Sequence, residues 1–149
     1  MSSQTALPPA YLFSALAAMV LLHLFVPVHQ LIPSTWNAVG LLPLIAGITL
    51  NLAADRALKK SGTTVKPFEA TTTLITTGVY GLSRNPMYLG MTLILIGVAL
   101  LMGSITPCIV IPVFALIIDK TFIGPEEHKL EQRFGQTWMQ YQQKVRRWL

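Results

Sequence analysis

The sequence predicts an all-α integral membrane protein, with four transmembrane helices and a C-terminal amphipathic helix on the cytoplasmic side. Three observations support this fold class. Hydrophobic residues make up 52% of the 149 residues and charged residues only 11%, whereas soluble domains carry about 25% charged residues. The mean hydropathy is +0.56, and four stretches approach the roughly 20 apolar residues that one membrane crossing needs. The lysines and arginines, 11 in all, are confined to two segments.

The four apolar stretches cover residues 10–28, 36–54, 86–103 and 105–123. We interpret the first as a helix of the mature protein, because no basic segment precedes it and no small-residue cleavage site follows it. Only the short turn "GSITP" separates the third stretch from the fourth, so these two must form an antiparallel hairpin. A chain of this length corresponds to a single domain, residues 1–149.

The distribution of basic residues predicts the orientation. One basic segment lies between the second and third stretches, and the other begins at the end of the fourth. The connections "HQLIPST" and "MGSITP" contain no lysine or arginine. By the positive-inside rule, both basic segments and both termini are expected in the cytoplasm. Because the basic residues flank apolar runs, they indicate a membrane protein and argue against a nucleic-acid partner.

Two features inside the apolar stretches concern packing rather than chemistry. Gly40 and Gly47 are seven residues apart, as are Gly90 and Gly97, so each pair marks one helix face. Small residues on one face predict close helix packing in a membrane. Cys108 is the single cysteine and lies in an apolar run, which excludes a disulfide framework and a thiolate metal cluster. We therefore expect no metal site.

The last segment, residues 125–147, has the pattern of an amphipathic helix. Its apolar residues are four, four, three and four positions apart, which places them on one helical face. Gly135 weakens the helix locally. We expect the helix to lie on the inner membrane surface, held there by aromatic and basic side chains. The apolar face consists of Leu130, Phe134, Trp138, Tyr141 and Val145, and the anchors are Trp138, Trp148, Arg146 and Arg147.

Polar residues gather at two predicted helix starts. In "SRNPMY", Asn85 is suited to the N-cap position and Pro86 to the first helical position. In "GPEE", Pro125 is likewise suited to the first helical position. Glu126 and Glu127 then fall in the first turn, where carboxylates interact favourably with the helix dipole. One interpretation is two ordinary helix starts. The other is a binding site, because free N–H groups at helix starts bind carboxylates and phosphates.

The second interpretation gains from the predicted topology, which puts both helix starts on the cytoplasmic side. Tyr80, Arg84 and Tyr88 surround the first start. We expect these side chains to meet the paired glutamates near the lipid boundary. Such a group of residues suits a polar, zwitterionic cofactor that is approached by a lipid-soluble substrate.

These two motifs resemble the isoprenylcysteine carboxyl methyltransferase family, and more broadly the small integral-membrane methyltransferases that include phospholipid N-methyltransferases. The family pattern is G-x-Y, then R-H-P-x-Y-x-G opening a span, a hydrophobic hairpin, paired glutamates and L-x-x-x-F-G-x-x-[YW]-x-x-Y. Here the corresponding stretches are "GVYGLSRNPMYLG" and "EEHKLEQRFGQTWMQY". The likeness covers about residues 62–145.

The resemblance implies methyl transfer from S-adenosyl-L-methionine to a lipophilic small molecule or a lipid-linked acceptor. Such a transfer is an in-line displacement, in which the protein positions two reactants and excludes water without a metal. Arg84 and Glu127 are the catalytic candidates. Arg84 is either a residue that binds an anionic group of the substrate or the cofactor, or an interfacial anchor whose charged end reaches the water. The residues implied to bind the cofactor are Thr72, Thr73, Leu74, Ile75, Tyr80, Asn85, Pro86, Met87, Tyr88 and Glu126.

Two departures from the family pattern bear on the acceptor. Asn85 replaces the family's histidine, so a proton cannot be exchanged there near neutral pH. Phe122 occupies the position of an arginine that contacts substrate in eukaryotic members, and the nearest basic residue is Lys120. The acceptor group is therefore open between a carboxylate, an amine and a thiol. His128 is either a base for an amine acceptor or a solvated helix residue.

Two other classes of protein compete with a methyltransferase. A sterol-type membrane reductase would use NADPH, but such enzymes are longer, and no arginine cluster for a 2′-phosphate is evident in this sequence. A non-enzymatic membrane protein, such as a small transporter subunit, is the other alternative. Transport paths usually carry ionisable residues inside the membrane, and the span centres contain none except His23.

Overall fold

A computed structural model describes residues 7–26, 30, 33–62 and 73–149 of the chain. The described part is helical, with one isolated antiparallel bridge between Gln30 and Ser104, so the all-α class is confirmed. The helices are α1 (Pro8–Phe25), α2 (Leu41–Lys60), α3 (Pro86–Met102), α4 (Val110–Ile118), α5 (Gly124–Phe134) and α6 (Gln136–Lys144). Short 3-10 turns at Ser34–Gly40, Gly78–Gly81 and Thr106–Ile109 precede α2, α3 and α4.

The helices bear out most of the predicted spans. Among the described residues, three continuous helices are long and apolar enough to cross a membrane: Pro8–Phe25, Thr35–Lys60 and Thr106–Phe134. Helix α3 is apolar but has only 17 residues, about 25 Å of helix against a hydrocarbon core of about 30 Å. The number of crossings and their orientation toward the cytoplasm stay predictions.

Apolar side chains cover much of the outer surface of these helices. Phe13 on α1, Leu42 on α2 and Leu116 on α4 are all exposed. A soluble monomer rarely exposes continuous apolar surface of this kind. The surface therefore fits contact with lipid.

Helices α2 and α3 pack against each other through the predicted glycine faces. Gly40 opposes Gly97 and Gly47 opposes Gly90, so the two helices run antiparallel. A Cβ atom on Gly40 would lie 2.5 Å from the Gly97 carbonyl oxygen, and one on Gly47 would lie 2.5 Å from that of Gly90. The backbones are thus too close for any side chain, which confirms the predicted close packing. This pairing brings the end of α2 beside the beginning of α3.

The main core lies between α1, α3 and the long helix that contains α4 and α5. Met19, Leu95, Ile118 and Phe122 are completely buried there. At the end remote from the basic segments, the His23 ring bonds the Ser104 hydroxyl at 2.7 Å. His23 thus ties α1 to the α3–α4 turn, a structural role that agrees with the scarcity of ionisable groups inside the spans.

The predicted surface helix at 125–147 is wrong in two respects. Helix α5 continues the long helix instead of starting separately. The helix ends before Gly135, which has a φ of +48°, and α6 begins directly after it. Trp138 is only 1% exposed, so it does not anchor the protein in lipid. The apolar face of this segment is therefore covered by other parts of the protein and not by the membrane. The buried cluster contains Trp138, Tyr141 and Val145, with Leu74, Leu130 and Phe134 packed against it.

Candidate active site

The turn before α3 places Asn85 at the predicted N-cap position. Pro86 is the first residue of α3, as predicted, and the Leu89 N–H donates to the Asn85 carbonyl at 3.0 Å. The Asn85 side chain does not cap the helix, however. Its Nδ2 donates to Glu127 Oε1 at 3.5 Å and to the Arg147 carbonyl at 3.2 Å. The Asn85 amide therefore joins the turn to α5 and to the C-terminal segment.

The motif "GPEE" is not a helix start. The helix runs from Thr106 to Phe134 without interruption, and a π-helical turn at Asp119–Ile123 joins α4 to α5. The Gly124 N–H already donates to the Asp119 carbonyl within this helix. The expectation of a second, free helix start is therefore wrong. The π turn accommodates an extra residue per turn, and it sets the directions in which the two glutamates point.

Glu126 points toward α3. The Tyr88 hydroxyl donates to its Oε1 at 2.9 Å. In the described part of the chain its other oxygen accepts no hydrogen bond. Beneath this pair, the Phe122 ring lies 6.2 Å from that of Tyr88 and 5.3 Å from that of Tyr11. Phe122 is completely buried in this aromatic packing.

Glu127 points into a group of charged residues. Its Oε1 lies 3.1 Å from Arg84 Nη2, and its Oε2 lies 2.7 Å from Arg147 Nη2. The side chains of Arg84 and Glu127 are each only 8% exposed. Arg147 also contacts both oxygens of Asp119 at 3.3 Å. The charges of the two arginines thus balance those of Glu127 and Asp119. Charged groups are tolerated in a protein interior when they are paired in this way.

Arg84 is held by three neighbours. Besides binding Glu127, its Nη1 donates to the Gln142 carbonyl at 3.3 Å. Its guanidinium carbon lies 5.7 Å from the centroid of the Trp138 ring, within cation–π range. Two buried donors there, Arg84 Nε and Trp138 Nε1, have no acceptor in the described structure. Buried donors without acceptors are rare in proteins and indicate a place for another group.

Tyr80 lies in the 3-10 turn before α3, and its carbonyl accepts a 2.6 Å hydrogen bond from the Tyr141 hydroxyl. Burial is the main reason that the pKa of Tyr141 rises to about 12. Burial also raises the pKa of Tyr80, with smaller contributions from Tyr141, Glu126 and Asp55. Both phenols therefore stay protonated at physiological pH.

The other candidate residues are less closely associated with this group. Thr72 lies outside the described residues. Thr73 is exposed, Ile75 and Met87 are half-buried, and Leu74 packs against the Trp138 cluster. The structure therefore brings together Tyr80, Arg84, Asn85, Tyr88, Glu126 and Glu127.

Sequence reasoning missed two members of the charged group. Arg147 was expected to be a membrane anchor, whereas it binds Glu127 and Asp119. The signal for Asp119 was available, because an aspartate at the end of an apolar span needs a cationic partner. His128 is exposed and bonds Gln132 at 2.9 Å, in agreement with its interpretation as a solvated helix residue. Lys120 is also exposed.

Comparisons with known proteins bear on this site. A family model described as phospholipid methyltransferase matches residues 35–137. The matched part includes Arg84, Glu126 and Glu127 and ends before Arg147. An uncharacterised protein of Haemophilus influenzae is 41% identical over 63 residues, which are 42% of this chain and 100% of that protein. No solved structure matches the chain.

Proposed function

Because the chain belongs to the phospholipid methyltransferase family, we propose that it transfers the methyl group of S-adenosylmethionine to a lipophilic acceptor. The observation that carries this proposal is the Tyr88–Glu126 pair. It places a carboxylate, one oxygen of which accepts no hydrogen bond from the described residues, beside packed aromatic rings at one end of a bundle of apolar helices. A polar cofactor and a lipid-soluble substrate can meet at such a boundary.

In this proposal Glu126 binds the ammonium group of the cofactor through a charge-assisted hydrogen bond. Tyr88 orients the carboxylate, and the rings of Tyr80 and Tyr88 face the adenine or the sulfonium. Leu74 and Ile75, from the segment before the 3-10 turn, contribute apolar contacts. When bound, the cofactor supplies an electrophilic methyl group. The protein needs to align that methyl with the acceptor and to keep water away.

Arg84 is the residue we assign to the acceptor. Glu127 holds its guanidinium from one side, and its buried Nε–H has no acceptor among the residues that the structure describes. A carboxylate or phosphate group of a lipid would satisfy this donor. In this assignment Glu127 touches neither reactant and acts by orienting Arg84.

In this proposal the acceptor atom is nucleophilic without help from a side-chain base. Asn85 cannot titrate, and His128 is exposed and bonded to Gln132. A lipid carboxylate already carries the required lone pair, and an amine or thiol would lose its proton to water. The half-buried ring of Tyr11, which packs edge-on against the buried Phe122, offers apolar surface for the hydrocarbon part of this acceptor.

The proposal includes the predicted topology. We infer that all four apolar helices cross the membrane within a single domain, with the site on the cytoplasmic side. The antiparallel packing of α3 along α2 supports a crossing by the short α3, because the two helices run side by side. The absence of basic residues from the connections at the opposite end supports the orientation.

Calorimetric titration with S-adenosylhomocysteine tests the cofactor assignment. The protein, purified in detergent and shown to be folded, is expected to bind this product of the reaction. Glu126→Gln should abolish binding, whereas His128→Gln, a change to an exposed residue on the same helix, should leave it unchanged. An absence of binding by the folded wild-type protein would refute the proposed function.

The acceptor is identified in a separate experiment. Membranes that contain the protein are incubated with S-adenosylmethionine labelled in its methyl group, and the labelled products are separated. We expect the label in the lipid fraction with the wild-type protein and not with Arg84→Gln. Label found only in water-soluble products would contradict a lipophilic acceptor.

A further inference from the structure

The last five residues, 145–149, form a segment that crosses back over the candidate site, and we refer to it as the C-terminal strap. Its backbone is bonded to the turn before α3. The Arg146 carbonyl accepts from the Arg84 N–H at 3.0 Å. The Arg147 carbonyl accepts from the Ser83 hydroxyl and from Asn85 Nδ2, both at 3.2 Å. These hydrogen bonds therefore fix the strap to the candidate site.

The side chains of the strap contact different parts of the protein. Val145 is buried in the Trp138 cluster, and Trp148 packs against the main core. Arg146 is exposed, and only its carbonyl bonds the described part of the chain. Arg147 points inward to the charged group.

Arg147 determines how Glu127 can bind Arg84. Because Arg147 Nε and Nη2 both bond Glu127 Oε2, at 3.2 and 2.7 Å, only Oε1 is available to Arg84. Arg84 therefore contacts Glu127 through Nη2 alone, and its Nε–H is left without an acceptor in the described part of the chain. Without Arg147, the carboxylate could bind Arg84 through two parallel hydrogen bonds, the geometry that arginine prefers. The Arg84 Nε–H would then bond Glu127 and could not bind the acceptor.

We propose that Arg147 is a positioning residue: by occupying Glu127 Oε2 and Asp119, it keeps Arg84 oriented to receive the anionic group of the acceptor. This inference rests on the proposed function and deepens it. The family match ends at residue 137, so the strap lies outside the part of the chain that the match covers. The bonds of Arg147 to Asp119 add a second constraint, because they fix its guanidinium against the π turn.

The test compares three single substitutions in the full-length protein. Arg147→Gln removes the cation and the fork of donors. Arg147→Lys keeps the charge but not the bidentate geometry. Arg146→Gln is the matched control, because it removes the same charge from the neighbouring residue and leaves the carbonyl in place. Each variant is purified in detergent, and its thermal unfolding is measured.

Two quantities are then compared for each variant. One is the affinity for S-adenosylhomocysteine, and the other is the amount of total membrane lipid extract, in mixed micelles, that half-saturates transfer of the labelled methyl group. We expect Arg147→Lys and Arg147→Gln to raise the half-saturating lipid by about ten-fold, since Arg147 is partly exposed and its ion pairs are only partly desolvated. Cofactor affinity should change less than about two-fold. Arg146→Gln should resemble the wild type.

The outcomes distinguish a failure of the positioning role of Arg147 from a failure of the proposed function. If the wild-type protein binds no S-adenosylhomocysteine, the proposed function fails. If it binds and transfers methyl groups but both Arg147 variants match Arg146→Gln, the positioning role is overturned. A parallel loss of cofactor affinity and lipid dependence in Arg147→Lys would indicate a general structural role and would also overturn it. If Arg147→Gln does not fold, Arg147→Lys alone decides.

Discussion

Tyr88 and Glu126 meet across two helices, with the tyrosine hydroxyl donating to the carboxylate at 2.9 Å. Tyr88 is the third residue of α3, and Glu126 lies just beyond the π turn of the long helix. The adjacent Glu127 instead binds Arg84 and Arg147. Two neighbouring glutamates therefore have different environments, and this difference underlies the first two predictions.

Tyr88→Phe should weaken the binding of S-adenosylhomocysteine about ten-fold, because it removes a hydrogen bond to a charged group, worth about 1.5–3 kcal/mol. Tyr11→Phe is the matched control, since that ring packs against the same Phe122 but its hydroxyl does not bond Glu126. Calorimetric titration of both variants measures the effect. Equal affinities for the two variants would contradict the assignment of Glu126 to the cofactor.

Glu127→Gln should destabilise the folded protein far more than Glu126→Gln. The first substitution leaves Arg84, which is nearly fully buried, without its anion, and we expect a cost of about 3 kcal/mol, at the low end for a broken buried ion pair because Arg147 is partly exposed. Glutamine at 126 still accepts from Tyr88, so its effect should stay below about 1 kcal/mol. Thermal unfolding in detergent compares the two variants. Similar unfolding temperatures would show that the ion pairs contribute little.

Gly47→Ala should loosen the pairing of α2 and α3. The new methyl group would meet the Gly90 carbonyl oxygen at 2.5 Å, and overpacking of this kind costs about 1–3 kcal/mol. Gly81→Ala is the control, because the nearest atom to its Cβ would be 3.5 Å away, an ordinary contact. Thermal unfolding followed by circular dichroism should show a lower transition temperature for Gly47→Ala only. An unchanged transition would mean that the helices can separate slightly without cost.

Alkaline pH should weaken the contact of α6 with the turn before α3. The pKa of Tyr141 is raised by burial from 10.0 to about 12. The stabilisation from its protonated hydroxyl is complete below about pH 10 and is lost as the pH rises toward 12. The unfolding temperature of the wild-type protein should therefore fall over this range, and less steeply in Tyr141→Phe. Identical pH profiles for the two proteins would exclude Tyr141 as a cause.

The sequence by itself determined the apolar helices and the start of α3. These features depend on local composition, since a run of apolar residues has one favourable environment and Pro86 suits only the beginning of a helix. The glycine faces at Gly47 and Gly90 also follow from spacing alone. The predicted close packing is confirmed because small residues let two helix backbones come together, but only the structure shows that these two faces pack against each other.

The partners of the polar side chains were decided only by the tertiary structure. Asn85 has the N-cap position that local propensity predicts, yet its side chain bonds Glu127 and the Arg147 carbonyl, 42 and 62 residues away. Trp138 has the spacing of a membrane-facing residue, yet it is buried beside Arg84. Amphipathic spacing shows which side of a helix is apolar but not whether lipid or protein will cover it.

The two glutamates show most clearly the difference between what the sequence determines and what only the tertiary structure decides. Their sequence places them together in the first turn of a helix, with nothing to distinguish one from the other. The π turn at Asp119–Ile123 sets the rotation of the helix, and the C-terminal strap then brings Arg147 to one of them. The direction of a side chain on a helix depends on every turn before it, and a cation from the end of the chain arrives only when the whole protein has folded.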